Sequence, residues 1–180
     1  IGWKSPNTIV QFVTDDSPFI IDSVTMRLNA SGHGILSSMH PILRVARNKQ
    51  GKISGIQGDK HTSGLRSESW VHIEIPRIFD KAELGRLKSD IELTLSDVGL
   101  AVKDWRKMLA KLNEAAAELQ AHARAPIKLK YEMCAFVEWL VQDHFTLLGY
   151  CEYRNRGKAL KPVATSGLGI LRETRGQQDY

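Results

Sequence analysis

Asp15 and Asp16 stand side by side where an apolar run gives way to Ser17-Pro18 and then to an amphipathic stretch that closes at Gly32-His33-Gly34. Paired carboxylates at such a junction can receive an ammonium group. The first backbone N–H groups of a helix starting here have no partner within it, and the helix dipole favours negative charge at the same place. A phosphate would be repelled by the aspartates, whereas a zwitterion could give its ammonium to a carboxylate and its own carboxylate to the free N–H groups. An amino acid fits that description. Asp22 and Ser23 lie one turn further on, beside the apolar stripe of Ile20, Ile21, Val24 and Leu28. The candidate effector-binding set is therefore Asp15, Asp16, Ser17, Asp22, Ser23, His33 and Gly34.

A plainer reading competes for the same residues. Ser17 reads as a helix N-cap with Pro18 at the first helical position, and Asp16 would also serve as a cap. Capping would then engage every polar group of the elbow, with Asp22 and Ser23 on a solvated flank. A third possibility is a hydrolase using Asp15 and Asp16 with His33 or His40, which requires those groups to converge in one pocket.

Other motifs carry less chemistry. His72 and Glu74 share one face of a strand, but a metal site needs at least one more ligand and none can be nominated nearby, so no metal is expected. Gly167-Leu168-Gly169 opens like a dinucleotide fingerprint, yet Arg172 stands where the third glycine belongs, and the run reads as a turn into a strand. Cys134 and Cys151 sit in apolar contexts without a neighbouring base. No catalytic residue and no cofactor is expected in this segment.

The elements that must hold the elbow can be read from periodicity. Residues 8–15 form a strand and the elbow leads into a helix ending near Gly32. Residues 35–47 form a second strand, with Leu43 and Val45 on one face and Ile42, Arg44 and Ala46 on the other. Gly51, Gly55, Gly58 and Gly64 mark a loop or irregular hairpin, with a short strand at residues 52–56. Val71, Ile73 and Ile75 alternate with Trp70, His72 and Glu74 in a half-buried strand. Asp80 and Glu83 form a capping box. After it, Ile91, Leu95, Val98, Val102, Trp105, Leu109, Leu112, Ala116 and Leu119 repeat at steps of four and three, as in a heptad seam. One helix, or two collinear ones broken at Gly99, should span residues 81–123, roughly 60 Å at about 1.5 Å per residue. Val102, Trp105 and Leu109 are expected to be buried against another helix, in this chain or in a neighbouring copy. A third helix over residues 131–142, a strand over 145–153 and a short strand over 168–172 complete the reading.

The fold class is α+β: a ferredoxin-like βαββα layer, helices on one face of an antiparallel sheet, with a long heptad-patterned helix and a partial second α/β subdomain. The layer takes residues 1–79 and the helix to about 98. Residues 99–125 extend the helix, and residues 126–180 form the partial subdomain. Because residues 98–102 read as helix, the fourth strand of the layer must come from elsewhere or be absent.

Composition excludes several function classes. The chain has 180 residues, 42% of them hydrophobic, and a formal charge of +5. That suffices for a core. Its basic residues are interspersed with Glu and Asp, and the two densest groups, Lys103 to Lys111 with the single aromatic Trp105 and Arg154 to Lys161 with none, lack the run of aromatics of a single-strand platform, so no nucleic-acid partner is expected. No apolar run nears the roughly 18 residues of a membrane span. Two cysteines without a bridging framework suit a reducing compartment, hence a cytoplasmic location. The start, Ile1-Gly2-Trp3, suggests a piece of a longer chain.

Five ordered blocks, TDDSPFIIDSVTMRLNASGHGI, HPILRVAR, ESWVHIEIPRI, DHFTLLGYCEY and GLGILRE, resemble the amino-terminal regulatory region of the large bacterial NAD-dependent glutamate dehydrogenases. The resemblance covers residues 8–173. It implies an ACT-like, amino-acid-sensing fold, with Asp15, Asp16, Pro18, Phe19, Asp22 and Ser23 in the family's first block. It further implies NAD as cofactor of the parent enzyme, catalysis in a distant domain, the remainder of the same polypeptide as partner, and a homo-oligomer. The open alternative is a purely structural oligomerisation module without ligand.

Overall fold

The structure is a computed structural model that describes residues 3–57, 64–121, 126–155, 157, 159–163 and 165–172. Gly58, Arg156 and Lys158, which entered the loop and charge readings, lie outside the described residues. The chain divides into two compact units, Ile1–Val98 and Gly99–Tyr180.

In the first unit β1 (Thr8–Asp15) leads into α1 (Ile20–Ala30), followed by β2 (Ser37–Met39), β3 (Ile42–Arg47), β4 (Ile53–Ile56), β5 (Arg66–Ile75) and the start of α2 (Lys81–Ala121). This is the expected βαββα layer on an antiparallel sheet. β5 is its central strand: β1 pairs along it from Thr8 opposite Ile75 to Asp15 opposite Glu68, and β2 and β3 occupy its other edge. Alternation along β5 sends Val71, Ile73 and Ile75 to one face, where Val24 and Leu28 of α1 and Leu87 and Ile91 of α2 close over them in a single cluster. Val10 and Phe12 of β1 pack at its margin. α1 buries Ile20, Val24 and Leu28, four residues apart, and Ile21 packs, partly buried, against the same core cluster.

The single strand expected over residues 35–47 is two strands in line. Pro41 has no N–H to give to the ladder, and the break falls at His40 and Pro41. The Pro41 carbonyl still accepts from the Trp70 N–H at 3.0 Å, holding both halves to β5. Val45 and Ala46, on opposite faces of β3, are both buried, and the register against β4 shifts after them, between Ala46 and Arg47.

α2 runs through Gly99 without a break. Residues 98–102 are therefore helical, and no strand in the described residues follows α2 back onto this sheet. Asp80 Oδ1 accepts the Ala82 N–H at 2.9 Å, an N-cap bond one residue short of the Glu83 N–H that the expected capping box uses. Glu83 does not complete it; its carboxylate lies 3.6 Å from His33 Nε2.

In the second unit the face of α2 that the chain itself buries lies beside the expected seam. Ala101, Asp104 and Met108 are buried, while Trp105 is 44% exposed and Val102 and Leu109 are half-buried. A straight helix turns every 3.6 residues and drifts off a strict heptad. A buried ion pair on Asp104, described below, holds the earlier face inward. α3 (Ile127–Trp139) begins four residues before its expected start and ends in a π-type turn, Leu140–His144. The strand expected over 145–153 is reduced to two short ladders: β6 (Gly149–Tyr150) with β9 (Leu168–Gly169), and β7 (Tyr153–Asn155) with β8 (Leu160–Pro162). Among the described residues, no helix is long and apolar enough to cross a membrane.

Candidate functional site

The elbow is shaped by the sheet, not by helix capping. Asp16 donates its N–H to the Ser67 carbonyl at 3.0 Å, and its Oδ1 accepts from the buried Ser69 hydroxyl at 2.6 Å. With Asp16 tied to β5, the chain must turn between Ser17 and Ile20. Phe19 makes that turn in the left-handed region, φ 70°, and occupies the N-cap position. No side chain caps α1. The capping reading of Ser17, Pro18 and Asp16 is thereby corrected: the helix starts two residues too late for it. Left-handed backbone costs an ordinary residue about 1–2 kcal/mol, and bulky side chains seldom adopt it.

What results is an open helix start beside charged groups. The first intrahelical bond runs from Ser23 N–H to the Phe19 carbonyl at 3.0 Å, so Ile20, Ile21 and Asp22 present N–H groups that have no acceptor within the helix. Asp22 is exposed in the first turn, where the dipole favours its charge. Asp15, 75% exposed, lies 3.5 Å from the Arg66 guanidinium. Behind it Glu68 is almost wholly buried between two arginines, Arg47 at 2.6 and 2.7 Å and Arg66 at 3.1 Å. The Arg47 hydrogen bonds hold the Glu68 carboxyl below its ordinary range, against the opposing effect of burial. Arg66 is a residue that motif reading missed. The signal for it was its spacing: two positions before Glu68 on a strand, it must share that residue's face.

His33 and Gly34 lie elsewhere. Gly32, at φ 81°, ends α1 with its N–H on Asn29 and the His33 N–H on Leu28, both 3.0 Å, a Schellman closure. The eleven residues of α1 put that turn roughly 16 Å from the elbow. His33 faces Glu83, and His40 sits at the break between β2 and β3. Neither bonds to Asp15 or Asp16, so the convergence a hydrolase needs is not formed within the unit. His72 and Glu74 are engaged by neighbours on the outer sheet face: Gln11 at 2.8 Å from His72 Nδ1, and Asn7 donating to Glu74 at 2.8 Å, which lowers the Glu74 pKa.

Residues 167–172 form a clamp instead of a dinucleotide cradle. Gly169 donates its N–H to Asp104 Oδ2 at 3.0 Å, and Arg172 grips both carboxylate oxygens of the same fully buried aspartate. A side chain at Gly167 would collide with the Leu171 carbonyl oxygen, and one at Gly169 with that of Leu148. The glycines are thus needed for the chain's own close approach, and the N–H that would meet a pyrophosphate already meets a carboxylate. These residues do not fit NAD.

The family model of the glutamate dehydrogenase ACT1 domain matches residues 1–91. NAD-specific glutamate dehydrogenases of Halomonas elongata and Pseudomonas aeruginosa are 32% and 35% identical over 178 and 155 residues, or 95% and 84% of this chain. That of Mycobacterium tuberculosis is 26% identical over 94% of it. The matches cover 11%, 10% and 11% of those proteins, so the chain spans about a tenth of the length of these relatives.

Proposed function

Because the chain belongs to the glutamate dehydrogenase ACT1 domain family, we propose that it is a non-catalytic regulatory region of an NAD-specific glutamate dehydrogenase and that residues 15–23 bind an amino-acid effector. The parent enzyme would oxidise L-glutamate to 2-oxoglutarate and ammonia, with NAD held elsewhere in the polypeptide. The observation that carries the reading is the uncapped start of α1 beside Asp15 and Arg66. An ammonium group suits the exposed Asp15 carboxylate. A carboxylate suits the free first-turn N–H groups or the Arg66 guanidinium. Asp22 and Ser23 flank the same turn. His33 and Gly34 join the site only if a second copy brings its own turn to the elbow.

Binding of effector by one state of the enzyme in preference to another shifts the remote catalytic domain by the difference in affinity, commonly about 1–3 kcal/mol. A second reading, assembly without ligand, is favoured by the edge of β1 that no strand among the described residues pairs with. A melting-temperature screen of the chain against the twenty amino acids separates the two. The regulatory reading expects at least one amino acid to raise the melting temperature, less so in Asp15→Asn. No shift with any amino acid leaves only assembly.

A further inference from the structure

The sequence and the fold start α1 at different residues. Ser17 and Pro18 have the spacing of an N-cap and a first helical residue, which would begin the helix at Pro18. The chain instead turns at Phe19, whose φ of 70° and ψ of 1° are those of the third residue of a type II turn, a position suited to glycine or asparagine. Asp16 holds the turn in place, with its N–H on the Ser67 carbonyl at 3.0 Å and its Oδ1 accepting from the Ser69 hydroxyl at 2.6 Å. Ser69 has no exposed surface, so releasing Asp16 would strand a buried hydroxyl. The pairing of β1 ends at Asp15 opposite Glu68, and the buried stripe of α1 begins at Ile20. Residues 16–19 can therefore rearrange between two fixed ends without opening the core.

We propose that residues 16–19 are a two-state switch, in which the turn of this structure exchanges with a capped state whose α1 is two residues longer. In the capped state Ser17 Oγ accepts the Ile20 N–H, the Ser17 and Pro18 carbonyls accept those of Ile21 and Asp22, and Phe19 takes ordinary helical backbone. Each N–H group that α1 leaves without an internal acceptor thus gains one, and Pro18 has no N–H to lose. Against this stand the two bonds of Asp16, one of them to a buried hydroxyl. Strain and unpaired donors on one side and two bonds on the other are small effects of opposite sign, so the two states lie close in free energy, with the turn the major one. The capped state closes the elbow, because the N–H groups that would meet a carboxylate are then occupied. An outside acceptor selects the turn only if residues 15–23 bind an effector, as proposed above; the switch is tested with no amino acid present, so either can fail alone.

Nuclear magnetic resonance of the isotope-labelled chain tests it. In the wild type Phe19 should show the strong intraresidue amide–Hα cross-peak of a positive φ. Ser69→Ala removes the side-chain bond that holds Asp16 and leaves no hydroxyl stranded; it should turn Phe19 helical and slow hydrogen exchange of the Ile21 and Asp22 amides about fivefold. Asp16→Ala removes the same bond from its other end and should act alike. Adding Ser17→Ala to Ser69→Ala takes away the cap and should return Phe19 to positive φ. A turn with no second state behind it would answer Ser69→Ala with faster exchange and would be indifferent to Ser17. Unchanged protection of the Val71 and Ile73 amides establishes that each variant is folded. A Phe19 that stays left-handed in both single variants, or that turns helical and is unmoved by Ser17→Ala, overturns the proposal.

Discussion

Asp15 at the elbow and Asp104 on the long helix are both carboxylates beside an arginine and a glycine- or proline-bearing turn, but they stand at opposite ends of one scale. Asp104 has no exposed surface, and its oxygens are taken by the Gly169 N–H and by Arg172, with Lys107 at 3.8 Å. Asp15 is three-quarters exposed and has one guanidinium at 3.5 Å. The segment that spells part of a nucleotide fingerprint is saturated by its own chain. The segment that spells a helix cap leaves its helix uncapped and a phenylalanine in left-handed backbone. A motif's chemistry depends on which partners the fold has already supplied: where they are complete the group is structural, and where they are missing at the surface the group is free to bind.

The sharpest break of this comparison is Arg172→Ala. It strands a buried carboxylate, and the second unit should lose about 3–5 kcal/mol in urea unfolding. A loss under about 1 kcal/mol, the scale of an exposed pair, would make the clamp no different from the elbow. Acid titration sharpens the same point. Arg172 lowers the Asp104 pKa from its ordinary 3.8 and Arg47 lowers that of Glu68 from 4.5. With folded-state values below the unfolded ones, their stabilisation is complete above about pH 5 and is lost as pH falls through the folded values. Unfolding free energy measured between pH 6 and 2 should drop accordingly, and Arg172→Ala should remove the Asp104 share of that drop. Phe19→Gly comes next. Glycine adopts φ 70° freely, so the first unit should gain about 1 kcal/mol in thermal unfolding, the strain relieved less the flexibility added. A loss would mean that the Phe19 ring contributes more than its backbone costs. Asp15→Asn has the smallest expected effect on folding, within about 0.5 kcal/mol, because its ion pair with Arg66 is exposed on both sides.

Much of the architecture was legible because periodicity reports burial directly. The alternation of Val71, Ile73 and Ile75 and the four-residue steps of α1 identified the two faces of the core, and Pro126 stands at the N-cap position of α3. The second strand was misread because its apolar residues run past Pro41, whose effect depends on which strand edge needs the missing N–H. The face of Ala101, Asp104 and Met108, which the single chain buries beside the heptad seam, was not legible because a heptad count has no knowledge of the ion pair that turns Asp104 inward. Arg172 is 68 residues away from it along the chain. The elbow's residues were legible as a group, but their arrangement was not. Local rules favour Ser17 as a cap, and only the long-range bonds of Asp16 to Ser67 and Ser69 show why the helix begins at Ile20.

The most direct test of the elbow as an open amino-acid site is calorimetric titration of the twenty amino acids into the chain, repeated with Asp15→Asn combined with Asp16→Asn. Asparagine keeps an oxygen to accept the Ser69 hydroxyl, so the fold should persist while the charge is removed. The expected result is saturable binding of at least one amino acid to the wild type and its loss in the double variant at unchanged melting temperature. Binding that survives the double substitution, or no binding by the folded wild type, would contradict the assignment.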